Sequence, residues 1–220
     1  MQYVERLNIE CPKPKRFPIG KRFKKEVLTQ HQIKYILMGK SIVEEKMDGK
    51  PVKFGASDPQ LFIFAEDLAR MHSIYYHIPG RYAIYDIFNP DRDVFLSWEE
   101  KQALSLEIRR GKIKIASFQP ELFFPVPVIA EGEFRMDDLP RFLGMSAYAR
   151  KHGNMGLKAP GEGIVVKSGA EAFPEEYYAG KIVREEFLNG IITNYLRKPL
   201  RKNAIDPSVR VMTGFLSSMQ

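Results

Sequence analysis

The sequence predicts an α+β domain. Short apolar or alternating runs recur from Ser41 to Val183 and carry strand-forming residues. Segments with helix start and stop signals lie among them. Most connections are short turns built on Pro, Gly, Asn and Asp.

Residues 1–30 read as a basic N-terminal arm, because Pro12, Pro14 and Pro18 stand among Lys13, Lys15, Arg16, Lys21, Lys24 and Lys25. Leu28 to Leu37 is a short helix, and Ser41 to Met47 is a strand that ends at a Lys-x-Asp-Gly turn. Pro51 to Ala56 and Leu61 to Ala65 are strands joined by the Ser57-Asp58-Pro59 turn. Arg81 to Phe88 alternates aromatic and aliphatic residues and stops at Asn89-Pro90. Ser97 and Glu100 form a capping box for a helix through Arg109, which Gly111 ends. Leu122 to Ala130 is an apolar strand whose Pro125 and Pro127 assign it to an edge. Asp137 to His152 carries acids in its first turn and bases in its last before Gly153, the pattern of a helix. Gly163 to Lys167 and Tyr177 to Val183 are strands, and Glu185 to Leu196 is a helix. Residues 31–198 therefore form the domain, and residues 199–220 are a short basic C-terminal tail.

The 220 residues are 44% hydrophobic, enough apolar material for one sizeable core. No apolar run approaches the roughly 20 residues that span a bilayer, and the N-terminus lacks a signal-peptide pattern. Cys11 is the only cysteine, so an internal disulfide is excluded and a reducing, cytoplasmic setting is expected. Lys and Arg outnumber Asp and Glu by 34 to 27, an excess that suits a polyanionic partner. A surface made basic for solubility is the plain alternative.

Two stretches carry the chemistry. Glu45-Lys46-Met47-Asp48-Gly49 puts an amine beside acids and a glycine. Glu162-Gly163-Ile164-Val165-Val166-Lys167 puts a carboxylate and a second amine on one apolar strand. These are the groups needed to attack a nucleotide phosphate and hold it with a metal. Lys46 is the candidate nucleophile. Neighbouring cations such as Lys167 and Lys181 favour loss of its proton and free the lone pair. Gly49 suits close backbone approach to a ligand. The plain alternative for any one lysine is a solvated surface charge.

Lys-x-Asp-Gly followed by Glu-Gly-x-Val-x-Lys resembles motifs I and IV of the covalent nucleotidyltransferases, the polynucleotide ligases and RNA capping enzymes. Three further segments extend the resemblance. Leu61-Phe62-Ile63-Phe64-Ala65-Glu66, followed by His72-Ser73-Ile74-Tyr75-Tyr76, is similar to motif III of RNA ligases. Arg81 to Phe88 is similar to motif IIIa, and Ala179-Gly180-Lys181-Ile182-Val183-Arg184 to motif V. The motifs run in family order from Glu45 to Arg184. The His-Ser-Ile-x-Tyr segment favours RNA ligases of the nick-sealing phage type over DNA ligases. The resemblance implies an ATP-grasp-like nucleotidyltransferase (adenylation) domain of antiparallel sheets flanked by helices.

The resemblance also implies roles. Lys46 attacks the α-phosphate of ATP and keeps AMP as a covalent lysyl adduct. Lys167 and Lys181 neutralise charge on the phosphate oxygens. Glu66 and Glu162 hold Mg2+ or Mn2+. Tyr85 stacks on adenine opposite Val165, Glu45 accepts from the adenine amine, and Asp48 and Asp86 orient lysine or ribose groups. Gly49 completes the nucleotide set. RNA bearing a 5′-phosphate and a 3′-hydroxyl is the partner. His72 is read as structural, since this chemistry needs no imidazole.

The sequence departs from the family in three places. Lys50-Pro51-Val52-Lys53 follows motif I, where an arginine or small polar residue is usual. Val183 stands where motif V often has a second base. The stretch after Lys181 is too short for a C-terminal OB-fold, so none is expected. The basic arm, the basic stretch from Arg197 to Arg210, a partner subunit or a homodimer are the remaining means of gripping substrate. A DNA ligase or capping-type core, and a non-catalytic module that binds RNA ends or nucleotide, are the rival readings.

Overall fold

The structure is a computed structural model that describes residues 9–10, 12–19, 26–57, 59–151, 153–188 and 201–213. The chain opens with β1 (Lys15–Arg16), α1 (Gln30–Leu37), β2 (Ser41–Lys46), β3 (Lys50–Ser57) and β4 (Gln60–Asp67). It continues through β5 (Arg70–Met71), β6 (His77–Ile78), β7 (Tyr82–Asn89), β8 (Val94–Phe95), α2 (Trp98–Arg109), β9 (Phe123–Pro125) and β10 (Val128–Gly132). Then come β11 (Met145–Lys151), β12 (Asn154–Pro160), β13 (Gly163–Ser168), β14 (Ala179–Val183), β15 (Arg201–Lys202) and β16 (Ala204–Ile205). Mixed α+β architecture, with mostly antiparallel pairing and few helices, is what these elements make.

Two five-stranded sheets dominate. The first runs β1-β14-β13-β2-β10; in the second β3-β4-β7-β8 lie in order and β9 pairs with β7. In the first sheet, β13 pairs antiparallel with both β2 and β14, so Lys46 faces Gly163, and Glu44, Val165 and Lys181 stand in one cross-strand row. Directly paired residues share a face and successive residues alternate. One face therefore carries Ile42, Glu44, Lys46, Val165, Lys167 and Lys181. The other carries Val43, Ile164, Val166 and Ile182, which pack with Ile33 and Ile36 of α1, Phe17 and Leu139. Burying each such aliphatic chain contributes on the order of 2 kcal/mol. The second sheet likewise buries Ile63, Ala65, Ile84 and Ile87 against Ile108 of α2. Its opposite face meets the polar face of the first sheet.

Both helices of the described residues start as their sequences direct. Thr29 and Gln32 cap α1, and Ser97 and Glu100 cap α2, each in a reciprocal capping box. Residues 185–188 are helical, and the rest of the helix expected to Leu196 lies outside the described residues.

Two expected elements need correction, and the described parts of both basic termini are paired with strands. Asp137 to His152 is not a helix. A 3-10 turn, Met136–Phe142, contains Pro140, and β11 follows and pairs with β12. Pro140 lacks the donor an α-helix needs there, and Gly153 (φ +85°) serves a hairpin turn, not a helix end. Leu122 to Ala130 is two strands in different sheets: β9 lies parallel to β7, while β10 is the edge partner of β2. The prolines mark the crossing. Within the expected N-terminal arm, the described strand β1 pairs with β14, with Lys15 opposite Gly180 and Arg16 opposite Lys181. Within the expected basic tail, β15 pairs with β5 and β16 with β6. Val209, Val211 and Met212 then pack on a core with Met47, Leu68 and Tyr76.

Candidate active site

The polar face of the first sheet presents Lys46 from the end of β2. Glu162 comes from the residue before β13, and its Oε1 lies 2.6 Å from the Lys46 Nζ. Glu66 comes from β4 of the facing sheet and feels the charges of Lys46, Glu162 and Asp48. Lys181 of β14 feels Lys46 and Glu162. The structure thus brings together five residues expected to act at one site: Lys46, Asp48, Glu66, Glu162 and Lys181.

Burial raises Glu66 from 4.5 to about 7, aided by Glu162 and Asp48 and opposed by Lys46. Burial also raises Glu162 to about 7, against the pull of Lys46. The Oε2 atoms of both are buried and have no hydrogen-bond partner in the structure. Buried carboxylate oxygens without partners are unfavourable, and they are the donor type that hard divalent cations take. The pair therefore fits a magnesium or manganese ion that keeps much of its water shell. Among the described residues, no three or more acidic, His or Cys side chains gather into a full metal cage.

These carboxyls make stability fall as pH rises. Together with Glu45, which burial also raises to about 7, they hold protons between pH 4.5 and 7 that the unfolded chain has released. The native state is favoured at the acid end of this window and loses that advantage through pH 7, by up to about 1.4 kcal/mol per unit per group. The urea midpoint without divalent ions is expected to be lower at pH 8 than at pH 5.5, and Mg2+ is expected to recover part of the loss at pH 8. A midpoint that rises over this window would contradict the buried-carboxyl assignment.

Two glycines of these motifs are explained by close packing inside the protein. A Cβ on Gly49 would stand 2.8 Å from Leu68 Cδ2 and 2.9 Å from the Asp67 carbonyl oxygen. Gly49 makes room for β4, where the sequence suggested room for a ligand. A Cβ on Gly163 would fall 2.1 Å from the Ile182 carbonyl oxygen, so only glycine lets β13 lie against β14 beside Glu162. Asp48 is held firmly. Its Oδ2 accepts from the Ser73 N–H (2.7 Å) and the Ile74 N–H (3.2 Å), and its own N–H donates to the Tyr76 hydroxyl at 3.0 Å.

Tyr85 and Asp86 sit at a β-bulge in the β4–β7 pairing, between the Ala65–Ile84 and Phe64–Asp86 pairs. The bulge lets neighbouring residues both turn toward the first sheet. Tyr85 is half-buried, near Phe64 with ring centroids 6.5 Å apart. Asp86 accepts from Lys167 Nζ at 2.9 Å and from the Tyr177 hydroxyl at 2.6 Å.

Two residues differ from their expected roles. Lys167 is buried, and its Nζ bonds Glu44 Oε2 (2.9 Å), Asp86 Oδ1 (2.9 Å) and the Tyr85 carbonyl (2.7 Å). Burial alone would lower its pKa, but Asp86 and Glu44 outweigh burial and raise it. It is a cation fastened between the two sheets, with its donors spent on the protein. Glu45 lies on the sheet face opposite Lys46 and Val165. Its carboxylate accepts from the Ser146 hydroxyl and, at 3.0 Å, from the Ala147 N–H, so it anchors β11.

Several site residues had no clear signal in the sequence. Lys101 of α2 is buried, pairs with Glu44 and donates to the Tyr85 carbonyl at 3.2 Å. It lies on a helix stripe with Ser105 and Ile108, too polar to read as a buried face. Burial would raise Glu44, yet Lys101 and Lys167 hold it below the ordinary carboxylate range. Asn203 accepts from the Tyr76 N–H at 2.9 Å and donates to the Leu68 carbonyl at 2.7 Å, which ties the last described strands to the segment that holds Asp48.

Residues 52–183, more than half of the chain, match the model of the RNA ligase family. The chain belongs to the RNA ligase family. Lys46 lies just before the matched stretch. Among solved structures, the chain is similar to a Naegleria gruberi RNA ligase with PPi, at 16% identity and TM-score 0.49, covering 83% of this chain and 61% of that one. It is also similar to an alanine-substituted mutant of the Naegleria gruberi ligase with ATP and Mn, at 15% identity and TM-score 0.48, covering 84% and 62%. This chain spans about three-fifths of the length of those two structures. No curated protein matches it. Among the described residues, no helix is long and apolar enough to cross a membrane.

Proposed function

We propose that the chain is an ATP-dependent RNA ligase with a nucleotidyltransferase-type domain that works through a lysyl-AMP intermediate on Lys46. The observation that carries this reading is the Lys46 Nζ, 2.6 Å from Glu162 Oε1 and flanked by Glu66 and Lys181, on the polar face between two sheets. The Lys46 ammonium gives up a proton to solvent, and Glu162, 2.6 Å away, orients the amine. The freed amine attacks the α-phosphorus of ATP. A P–N bond forms, and the P–O bond to the β-phosphate breaks to release pyrophosphate. Lys181 offsets charge on the phosphate oxygens.

Glu66 and Glu162 are the residues that would hold a divalent cation, which would supply further charge neutralisation on those oxygens. Tyr85, aimed by the bulge, and Val165, on the facing sheet, offer an aromatic and an aliphatic surface for the adenine. Asp86 and Lys167 act beneath it: with Glu44 and Lys101 they fix the backbone that carries Tyr85. Asp48, fixed by three hydrogen bonds, shapes the turn beside Lys46. The second step passes AMP to an RNA 5′-phosphate, and the third joins a 3′-hydroxyl with release of AMP. A reducing, cytoplasmic setting fits the single cysteine.

The test is incubation with α-labelled ATP and Mg2+, then denaturing electrophoresis, with GTP in parallel. A band from ATP alone supports the reading. A band from GTP points to a capping-type enzyme, and no band in protein freed of bound AMP points to a binding module. RNA contact is a separate surface. Arg201→Ala, in the exposed strand β15, is expected to weaken RNA binding and reduce its salt slope by roughly one, with adenylation unchanged. Titration of RNA at several salt concentrations reads this; an unaltered slope would remove Arg201 from the RNA path.

A further inference from the structure

The N-terminal strand carries a cation to the rim of this site. Arg16 of β1 stands directly opposite Lys181 of β14 in a parallel pair. Paired residues share a face. Phe17, its neighbour, is 2% exposed and packs on the α1 side with Ile182, so Arg16 points to the opposite side, where Lys181 and Lys46 stand. Phe17 also fixes this register: a Cβ on Gly180 would fall 2.1 Å from its ring.

The backbone of Arg16 holds the strand without help from its side chain. Its N–H donates to the Glu26 carbonyl (2.8 Å), its carbonyl accepts from the Leu28 N–H (2.9 Å), and the Phe17 N–H donates to the Lys181 carbonyl (3.2 Å). Among the described residues no carboxylate lies within ion-pair distance of the Arg16 guanidinium. Burial, then repulsion from Lys46 and Arg16, lowers the pKa of Lys181, with Glu162 and Glu26 opposing. Arg16, Lys181 and Lys46 therefore lie near enough to repel one another, and an anion bound among them would relieve that repulsion.

We propose that Arg16, Lys181 and Lys46 form a row of cations for phosphate, with Arg16 binding phosphate groups beyond the one that Lys46 attacks. The proposal rests on the adenylation reading above for the place of the α-phosphate. Three strand spacings, roughly 14 Å between backbones, separate β1 from β2. Long side chains converge across that span on a chain of phosphates or on an RNA 5′-phosphate. Guanidinium suits this task because its planar fork binds two phosphate oxygens at once.

Arg16→Gln and Arg16→Lys test it, since neither disturbs the backbone bonds that hold β1. Calorimetry with inorganic pyrophosphate, and with a 5′-phosphorylated against a 5′-hydroxyl oligoribonucleotide, separates the two phosphate sources. The expected result is at least fivefold weaker binding of pyrophosphate, or of the phosphorylated end alone, in Arg16→Gln, with partial recovery in Arg16→Lys. Equal affinities in wild type and Arg16→Gln for both ligands overturn the proposal. Equal losses for phosphorylated and hydroxyl RNA, with pyrophosphate unaffected, also overturn it, because the arginine would then read the RNA backbone generally. Failure of the wild type to take label from ATP, with pyrophosphate still bound through Arg16, would overturn the adenylation reading and leave the anion site standing.

Discussion

Lys46→Ala is expected to lose the covalent protein–AMP band completely, a fall of more than roughly 10⁴-fold in adenylation rate. Among the described residues, no other amine is placed to replace it. Lys181 stands two strands away across β13, and Lys167 is tied to Glu44 and Asp86. The loss should not come from unfolding. Removing Lys46 strips Glu162 of its cation, but a carboxyl already raised to about 7 takes a proton near neutral pH instead of standing as an unpaired charge. Labelling and a melting curve on one preparation at pH 6.5 check both halves. A labelled band of wild-type intensity in a folded variant would place the nucleophile elsewhere.

Lys167→Met is expected to be costly in a different currency. It leaves buried Asp86 with only the hydroxyl of half-buried Tyr177 and leaves buried Glu44 with only buried Lys101. Removing one partner of a buried ion pair costs about 3–5 kcal/mol, which corresponds to a fall of roughly 10 °C in melting temperature for a domain of this size. Urea unfolding measures it directly. If Lys167 instead served mainly as an open phosphate contact, the variant would melt within about 1 kcal/mol of wild type and lose only nucleotide affinity.

Most of the strands were legible because period-two patterning and turn residues agree locally, as in β2, β7 and β13. The Ser97–Glu100 capping box was legible because its signal lies within four residues. What escaped notice depends on distant partners. Pro125 and Pro127 announced an irregularity near β9 and β10, but only the pairing with β7 and β2 shows that the chain changes sheets there. The acid-to-base gradient from Asp137 to His152 resembled a helix; pairing with β12 decided otherwise. At the site, motif spacing pointed to the group that now surrounds Lys46. The Lys101–Glu44–Lys167–Asp86 network was hidden because its charges are separated by dozens of residues and each looks like a surface residue by itself. Beside Gly49 the space a Cβ would take is crowded by Leu68 and the Asp67 carbonyl, a packing reason that the sequence did not suggest.

The contact of Asn203 with Tyr76 spans 127 positions of sequence. Closing so long a loop comes late in folding, since its entropy is lost before any compensating contact forms. During synthesis, the Asp48 turn therefore lacks its final support until residues near 205 have left the ribosome. A nascent chain exposes Lys46 long before the turn beside it is supported. Arrested chains whose part outside the ribosome ends before and after residue 205, labelled with ATP while still attached, would show this as a step in adduct yield.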